Sequence, residues 1–77
     1  MSFRLPQLNA RQLIALLERA GFVRQYQDSS HLYLRDRHGL TTSVPIHPGD
    51  VKRGLVHKIL FRDCRLTPSQ VLKLLKK

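Results

Sequence analysis

The chain has only one cysteine, only five acidic residues and no long apolar run, and each of these features excludes some classes of protein. Cys64 alone cannot form an internal disulfide, which fits a reducing compartment. No stretch reaches the ~20 apolar residues of a membrane span, and the first residues lack the apolar run of a secretory signal. We therefore expect a soluble, cytoplasmic protein without a membrane partner.

The chain also lacks the common motifs for metal, nucleotide and nucleophile sites. Its four histidines and Cys64 form no His-x₃-His or Cys-x₂-Cys pair. No glycine-rich phosphate loop, paired carboxylate site or Cys–His dyad is visible. The sequence therefore predicts no metal site and no cofactor.

Positive charge is abundant. Fourteen Lys and Arg residues against five Asp and Glu give a formal net charge of +9. Such an excess favours a polyanionic partner: nucleic acid first, an acidic protein second and a membrane surface third. With 77 residues, we expect a single domain over 1–77 that buries only ~60% of its unfolded surface, so any site on it should be shallow.

The first helix is marked at both ends. Asn9 is a suitable N-cap with Gln12 as its capping-box partner, and Gly21 can take the left-handed conformation that ends a helix. Between these positions, apolar residues recur at helical spacing and share one face: Leu13, Leu16, Leu17 and Ala20.

Three short strands are predicted next: Phe22 to Gln27, His31 to Arg35 and Leu40 to Ile46. In the second strand the apolar leucines at 32 and 34 alternate with His31, Tyr33 and Arg35. If the leucines face the helices, His31 faces outward, and a slip of one residue would reverse this.

A second helix is predicted from about Val51 or Lys52 to Asp63, and Thr67 with Gln70 forms a capping box for a short last helix. The order of elements is helix, three antiparallel strands, helix and short helix. This order predicts a two-layer α+β fold in which helices cover one sheet face and leave the other open.

His31 is the leading candidate for chemistry, because a proton carrier active near neutral pH in a strongly basic protein suits metal-free RNA cleavage. The simpler interpretation is an exposed strand histidine. His47 is the main rival, in the proline-rich loop 45–50; the favoured interpretation is that it hydrogen-bonds this loop to the second helix. His38 and His57 are expected to be exposed.

Phosphate contacts are assigned to basic residues of the hairpin and of the second helix: Arg35, Arg37, Lys52 and Arg53. Ser30 and Tyr33 are candidates for orienting a phosphate, although both can equally fill strand positions. Tyr26 and Tyr33 can stack a base or simply pack.

Several segments, spread over about residues 9–75, resemble HicA toxins, the ribonuclease half of HicA–HicB toxin–antitoxin pairs. Residues 13–22 are similar to the opening of that family, and Ser30-His31-Leu32-Tyr33 resembles its Gly-Ser-His segment. Residues 44–49 resemble its Val-Pro-x-His-Pro-Gly loop. Residues 54–60 resemble its Gly-Thr-Leu-x-x-Ile-Leu helix, and 66–70 match its closing turn in pattern.

The resemblance implies a fold like that of double-stranded-RNA-binding domains and metal-independent cleavage of mRNA, with His31 at the catalytic histidine. It also implies an acidic HicB-like antitoxin as partner. Two positions depart from the family: Ser29 replaces a common glycine, and Ile46 replaces a basic residue that often precedes the loop histidine. The alternatives are a non-catalytic module that binds double-stranded RNA and a basic protein whose main ligand is an acidic protein.

Overall fold

The computed structural model describes residues 4–76, and it consists of one antiparallel sheet with helices on one side. The elements are α1 (Ala10–Arg19), β1 (Val23–Gln27), β2 (His31–Arg35), β3 (Thr41–Pro45), α2 (Arg53–His57), a π-helical turn that continues it (Lys58–Asp63) and α3 (Pro68–Lys76). The strand order is β1-β2-β3. This arrangement confirms the predicted two-layer α+β fold, similar to that of double-stranded-RNA-binding domains.

Local signals define α1 as predicted. The Asn9 side chain accepts a hydrogen bond from the Gln12 amide at 2.8 Å, and the Gln12 side chain accepts one from the Asn9 amide at 2.9 Å. Gly21 follows with φ +103°, a conformation that favours glycine. The apolar face of α1 is buried against the sheet, since Leu13 and Leu17 are fully covered.

The sheet has a covered face and an open face. Leu32 and Leu34 of β2 are buried, whereas His31 and Tyr33 are only partly buried and Arg35 is exposed. On β3, Thr42 and Val44 point to the covered face. The predicted alternation is therefore confirmed, although β1 begins at Val23 and β3 spans Thr41–Pro45, one residue shorter at each predicted end.

β1 lies at the edge of the sheet, and every residue in it is exposed. Its pairing with β2 is irregular: Arg24 lies opposite Leu34, and Tyr26 lies opposite Tyr33, so Gln25 is an extra residue in a β-bulge. A bulge shifts the alternation of the residues that follow it. Tyr26 therefore lies on the same face as Tyr33, and not on the helix side with Arg24.

The second helix ends at Asp63 as predicted, but its start and its second half differ from the prediction. It begins at Arg53, and its second half is π-helical. The Cys64 amide donates to the Ile59 carbonyl, five residues earlier, at 3.0 Å. This wider turn keeps Cys64 in the core while the Asp63 carboxylate accepts a 3.0 Å hydrogen bond from the Thr42 hydroxyl of β3.

The Thr67–Gln70 capping box at the start of the last helix forms as predicted. Within residues 4–76, no helix is long and apolar enough to cross a membrane.

Candidate functional site

The side of the sheet opposite the helices carries three of the predicted site residues. We call it the outer face, and it includes His31, Tyr33 and Arg35 of β2 with Tyr26 of β1 and Ser43 of β3. A shallow concavity has Tyr33, Arg35 and Ser43 in its lining. The outer face is thus an open surface with polar, aromatic and cationic groups on a rigid sheet.

The turn before β2 holds His31 in place through Asp28. One Asp28 carboxylate oxygen accepts hydrogen bonds from the Ser30 amide at 2.8 Å and from the His31 amide at 2.7 Å. These two bonds, the one from Ser30 first, lower the pKa of Asp28 below its usual value. The Asp28 amide in turn donates to the His31 carbonyl at 3.0 Å. The backbone at His31 is therefore fixed on both sides, even with Ser29 in place of a glycine.

Three aromatic rings lie together beside this turn. The rings of Tyr26 and Tyr33 stack with centroids 5.4 Å apart and an interplanar angle of 28°, and the His31 ring is 6.1 Å from that of Tyr33. The Tyr33 hydroxyl donates a long 3.5 Å hydrogen bond to Asp28. The negative charge of Asp28 raises the pKa of Tyr33, so this phenol stays protonated near neutral pH. We call Tyr26, Tyr33 and His31 the aromatic cluster.

The predicted phosphate-binding residues divide into two groups. Arg35 is exposed on the outer face, four residues along β2 from His31 and thus roughly 13 Å away, and Arg37 is exposed in the following hairpin turn. Lys52 and Arg53 lie in the helical layer where α2 begins, and the Arg53 guanidinium donates to the Leu5 carbonyl. The structure therefore places Tyr33 and Arg35 on one strand with His31, and Ser30 in the turn before that strand, whereas Lys52 and Arg53 lie in the helical layer.

The loop with His47 starts next to His31. Pro45 lies opposite His31 in the ladder, and the Ile46 amide donates to the Ser30 carbonyl at 2.7 Å. His47 is exposed, and its Nδ1 lies 3.0 Å from the carbonyl of Pro48 in the same loop. The expectation that His47 links this loop to the second helix is wrong, since its hydrogen bond stays within the loop. His38 and His57 are exposed, as predicted.

The buried thiol and the carboxylates of two ion pairs belong to the helical layer and not to the outer face. Burial, with the nearby charges of Asp63 and Asp36, raises the pKa of Cys64 to about 12, so this thiol is uncharged and no nucleophile at neutral pH. The two ion pairs within residues 4–76, Arg24–Glu18 and Lys58–Asp63, leave out the arginines at 35 and 37. In the same part of the chain, no three His, Cys, Asp or Glu residues converge as metal ligands would.

Sequence patterns missed the role of Asp28 and left the position of Tyr26 in the sheet open. Asp28 is expected only as part of a turn, and Tyr26 is not assigned a side of the sheet. The composition of β1 holds a signal for the second: Val-Arg-Gln-Tyr-Gln lacks the apolar alternation of a covered strand, which indicates an uncovered edge. No signal in the sequence marks the bulge that turns Tyr26 outward.

Comparison with known proteins identifies the family. A family model described as the HicA toxin of bacterial toxin–antitoxin systems matches residues 10–66. A comparison with curated proteins gave no match. The matched region runs from the start of α1 through the sheet and past the π-helical turn to residue 66, so it includes the whole outer face. The chain therefore belongs to the HicA toxin family.

Proposed function

We propose that this toxin is an endoribonuclease that cleaves mRNA in the cytoplasm without a metal ion, with His31 as its catalytic residue. The observation that carries the proposal is the position of His31, on a rigid strand at the open face, with its backbone held by Asp28. Family membership supports the nuclease activity. The net charge of +9 supports a polyanionic substrate.

The proposed reaction is an attack by the ribose 2′-hydroxyl on the adjacent phosphate. His31 takes the proton of the 2′-hydroxyl as general base, or gives a proton to the leaving 5′-oxygen as general acid. The new bond joins the 2′-oxygen to phosphorus and the bond to the 5′-oxygen breaks. The products are a 2′,3′-cyclic phosphate and a 5′-hydroxyl end. One histidine performs one of these transfers at a time, so the other needs a second group or water.

The residues around His31 have binding roles in this proposal. Ser30 and Tyr33 orient the scissile phosphate, since Ser30 directly precedes His31 in the turn and Tyr33 lies on the same face of β2 as His31. Arg35 and Arg37 contact phosphates along the sheet and hairpin, and Lys52 and Arg53 contact RNA where it passes the helical layer. These are charge contacts, which hold RNA without selecting its sequence.

An open site needs control by a partner. We propose an acidic, HicB-like antitoxin that covers His31 and places carboxylates against Arg35 and Arg37. Complementary charge speeds such an association, and apolar burial sets its lifetime. Expression of the chain alone should arrest growth, coexpression of the antitoxin should relieve the arrest, and His31→Ala alone should be harmless. Harmless accumulation of the unpartnered wild-type chain would contradict this proposal.

The direct test is cleavage of RNA by the purified chain in excess EDTA. Wild type should cut and leave cyclic phosphate ends, whereas His31→Ala should lose at least about 100-fold in rate while it still binds RNA. His38→Ala is the matched control, because His38 is an exposed histidine in a turn away from the aromatic cluster. His47→Ala should lower the rate less than His31→Ala does. If the wild-type protein binds RNA but does not cleave it, the result would instead favour a non-catalytic RNA-binding module.

A further inference from the structure

We infer that Tyr26 and Tyr33 form a stacking platform for one unpaired base of single-stranded RNA. This base would belong to a nucleotide next to the scissile phosphate, at which His31 is the proposed acid or base. This inference rests on the proposed function in that its ligand is RNA, and it adds the substrate class and a binding residue, Tyr26. The observations that carry it are the exposure of Tyr26, the geometry of the two stacked rings and the distance of the Tyr33 ring from the His31 ring.

Tyr26 is a large ring that folding leaves in solvent. It is 61% exposed, whereas Val44 on the opposite edge strand is fully buried. The bulge at Gln25 places Tyr26 on the outer face; regular alternation from Val23 would have turned it toward the helices. Bulges are typical of places where a strand redirects a side chain next to a functional site.

The two tyrosines are oriented as a platform needs. They are a cross-strand pair, and their rings lie within 28° of parallel. Contact with Tyr33 covers part of the Tyr26 ring, and the exposed remainder offers a π-face to a ligand. The hydrogen bond from the Tyr33 hydroxyl to Asp28, at 3.5 Å, ties the platform to the same carboxylate that holds the His31 backbone.

Distance links the platform to the proposed chemistry. The His31 ring is 6.1 Å from the Tyr33 ring, so a nucleotide whose base lies on the tyrosines has its ribose and phosphate within reach of the imidazole. Arg35 on the same strand supplies positive charge for the chain of phosphates that continues.

The chemistry of this surface favours an unpaired base as the occupant. Exposed aromatic rings among cationic groups are the pattern that binds single-stranded nucleic acid, where bases stack on the rings and phosphates meet the charges. Bases within a duplex are covered by their neighbours in the stack, and double-stranded RNA is read mainly through its backbone and shape. The platform therefore selects single-stranded stretches of RNA.

The test compares two proteins, wild type and Tyr26→Ala, with two ligands that the protein cannot cut. The probes are a 2′-O-methyl hexauridylate, which lacks the attacking hydroxyl, and a 2′-O-methyl backbone of equal length without bases. For wild type, we expect the hexauridylate to bind more tightly than the backbone. Tyr26→Ala should weaken hexauridylate binding by roughly 5- to 150-fold and leave backbone binding nearly unchanged.

Two variants serve as controls. Tyr26→Phe keeps the ring and should bind the hexauridylate like wild type. Val23→Ala alters another residue of β1, which is 60% exposed on the same face, and should change binding of either probe less than twofold. Annealing the hexauridylate to its complement should weaken wild-type binding.

Three outcomes would overturn the inference. Tyr26→Ala could lose the same affinity for both probes, it could lose affinity for neither, or wild type could bind the duplex more tightly than the single strand. Equal loss would assign Tyr26 a structural role. Failure of the proposed function is seen separately, because the probes report binding and a parallel digest of unmodified RNA reports cleavage. A chain that cuts nothing but shows the Tyr26-dependent preference is a binding module with this platform.

Discussion

The two faces of the sheet are built from alternate residues of the same strands, yet they differ in every property that matters for function. On β2, Leu32 and Leu34 are at most 3% exposed and pack under the helices, while His31 and Arg35 face outward. The covered face supplies burial of apolar area, which drives folding. The outer face supplies charge, aromatic rings and a proton carrier. In so small a domain, the residues that stabilise the fold and the residues of the proposed site thus alternate along the same strand.

The largest effect, on the stability of the fold, should come from a substitution on the covered face. Leu34→Ala removes a side chain that is 1% exposed, and such a change costs about 2–5 kcal/mol of unfolding free energy. A small domain has only about 5–15 kcal/mol in total, so the variant should be largely or partly unfolded near physiological temperature. Urea denaturation followed by circular dichroism measures this. Tyr33→Leu, on the adjacent outward position, should keep the fold, and equal destabilisation by both variants would refute the separation of the two faces.

A smaller effect is expected from reversing charge on the outer face. Arg35→Glu removes a proposed phosphate contact and adds repulsion, so RNA affinity should fall and the magnitude of the slope of log K against log salt should drop by about 0.7–0.9. Arg11→Glu changes the net charge equally on the exposed side of α1 and should weaken binding less. Titrations at several salt concentrations compare the two. The assignment of Arg35 fails if both variants lose the same affinity, or if the wild-type response to salt is flat.

The same contrast explains how far the sequence predicts the structure. The cap at Asn9, the alternation in β2 and the glycine after α1 depend on neighbours within a few residues, and all three are confirmed. The bulge at Gln25 and the π-helical turn depend on packing between segments distant in the chain, such as the bond from Thr42 to Asp63. Such contacts leave no periodic pattern. His31 was therefore placed correctly from local alternation, whereas the outward side of Tyr26 needed the fold.

Asp28 contributes both to the stability of the turn and to the position of His31. Its substitution should have the smallest effect of the variants considered and is the most specific test. Its carboxylate holds the backbone of Ser30 and His31, so Asp28→Asn should lower the cleavage rate modestly by loosening His31, with Asp28→Ala lowering it further. The amide of asparagine can still accept these hydrogen bonds, but without charge it accepts them more weakly.

The pH dependence follows from the direction of the shift in pKa. Folding lowers the pKa of Asp28 below its ordinary 3.8, chiefly through the Ser30 amide, so the folded state binds a proton less readily than the unfolded state. The extra stability of wild type over Asp28→Asn is therefore complete above about pH 4 and is lost as the pH falls through the folded pKa. Urea midpoints between neutral pH and about pH 2.5 should converge for the two proteins. Because Asp28 is exposed, the difference at neutral pH should be small. A gap between wild type and Asp28→Asn that stays constant with pH would mean that the charge of Asp28 does not hold this turn.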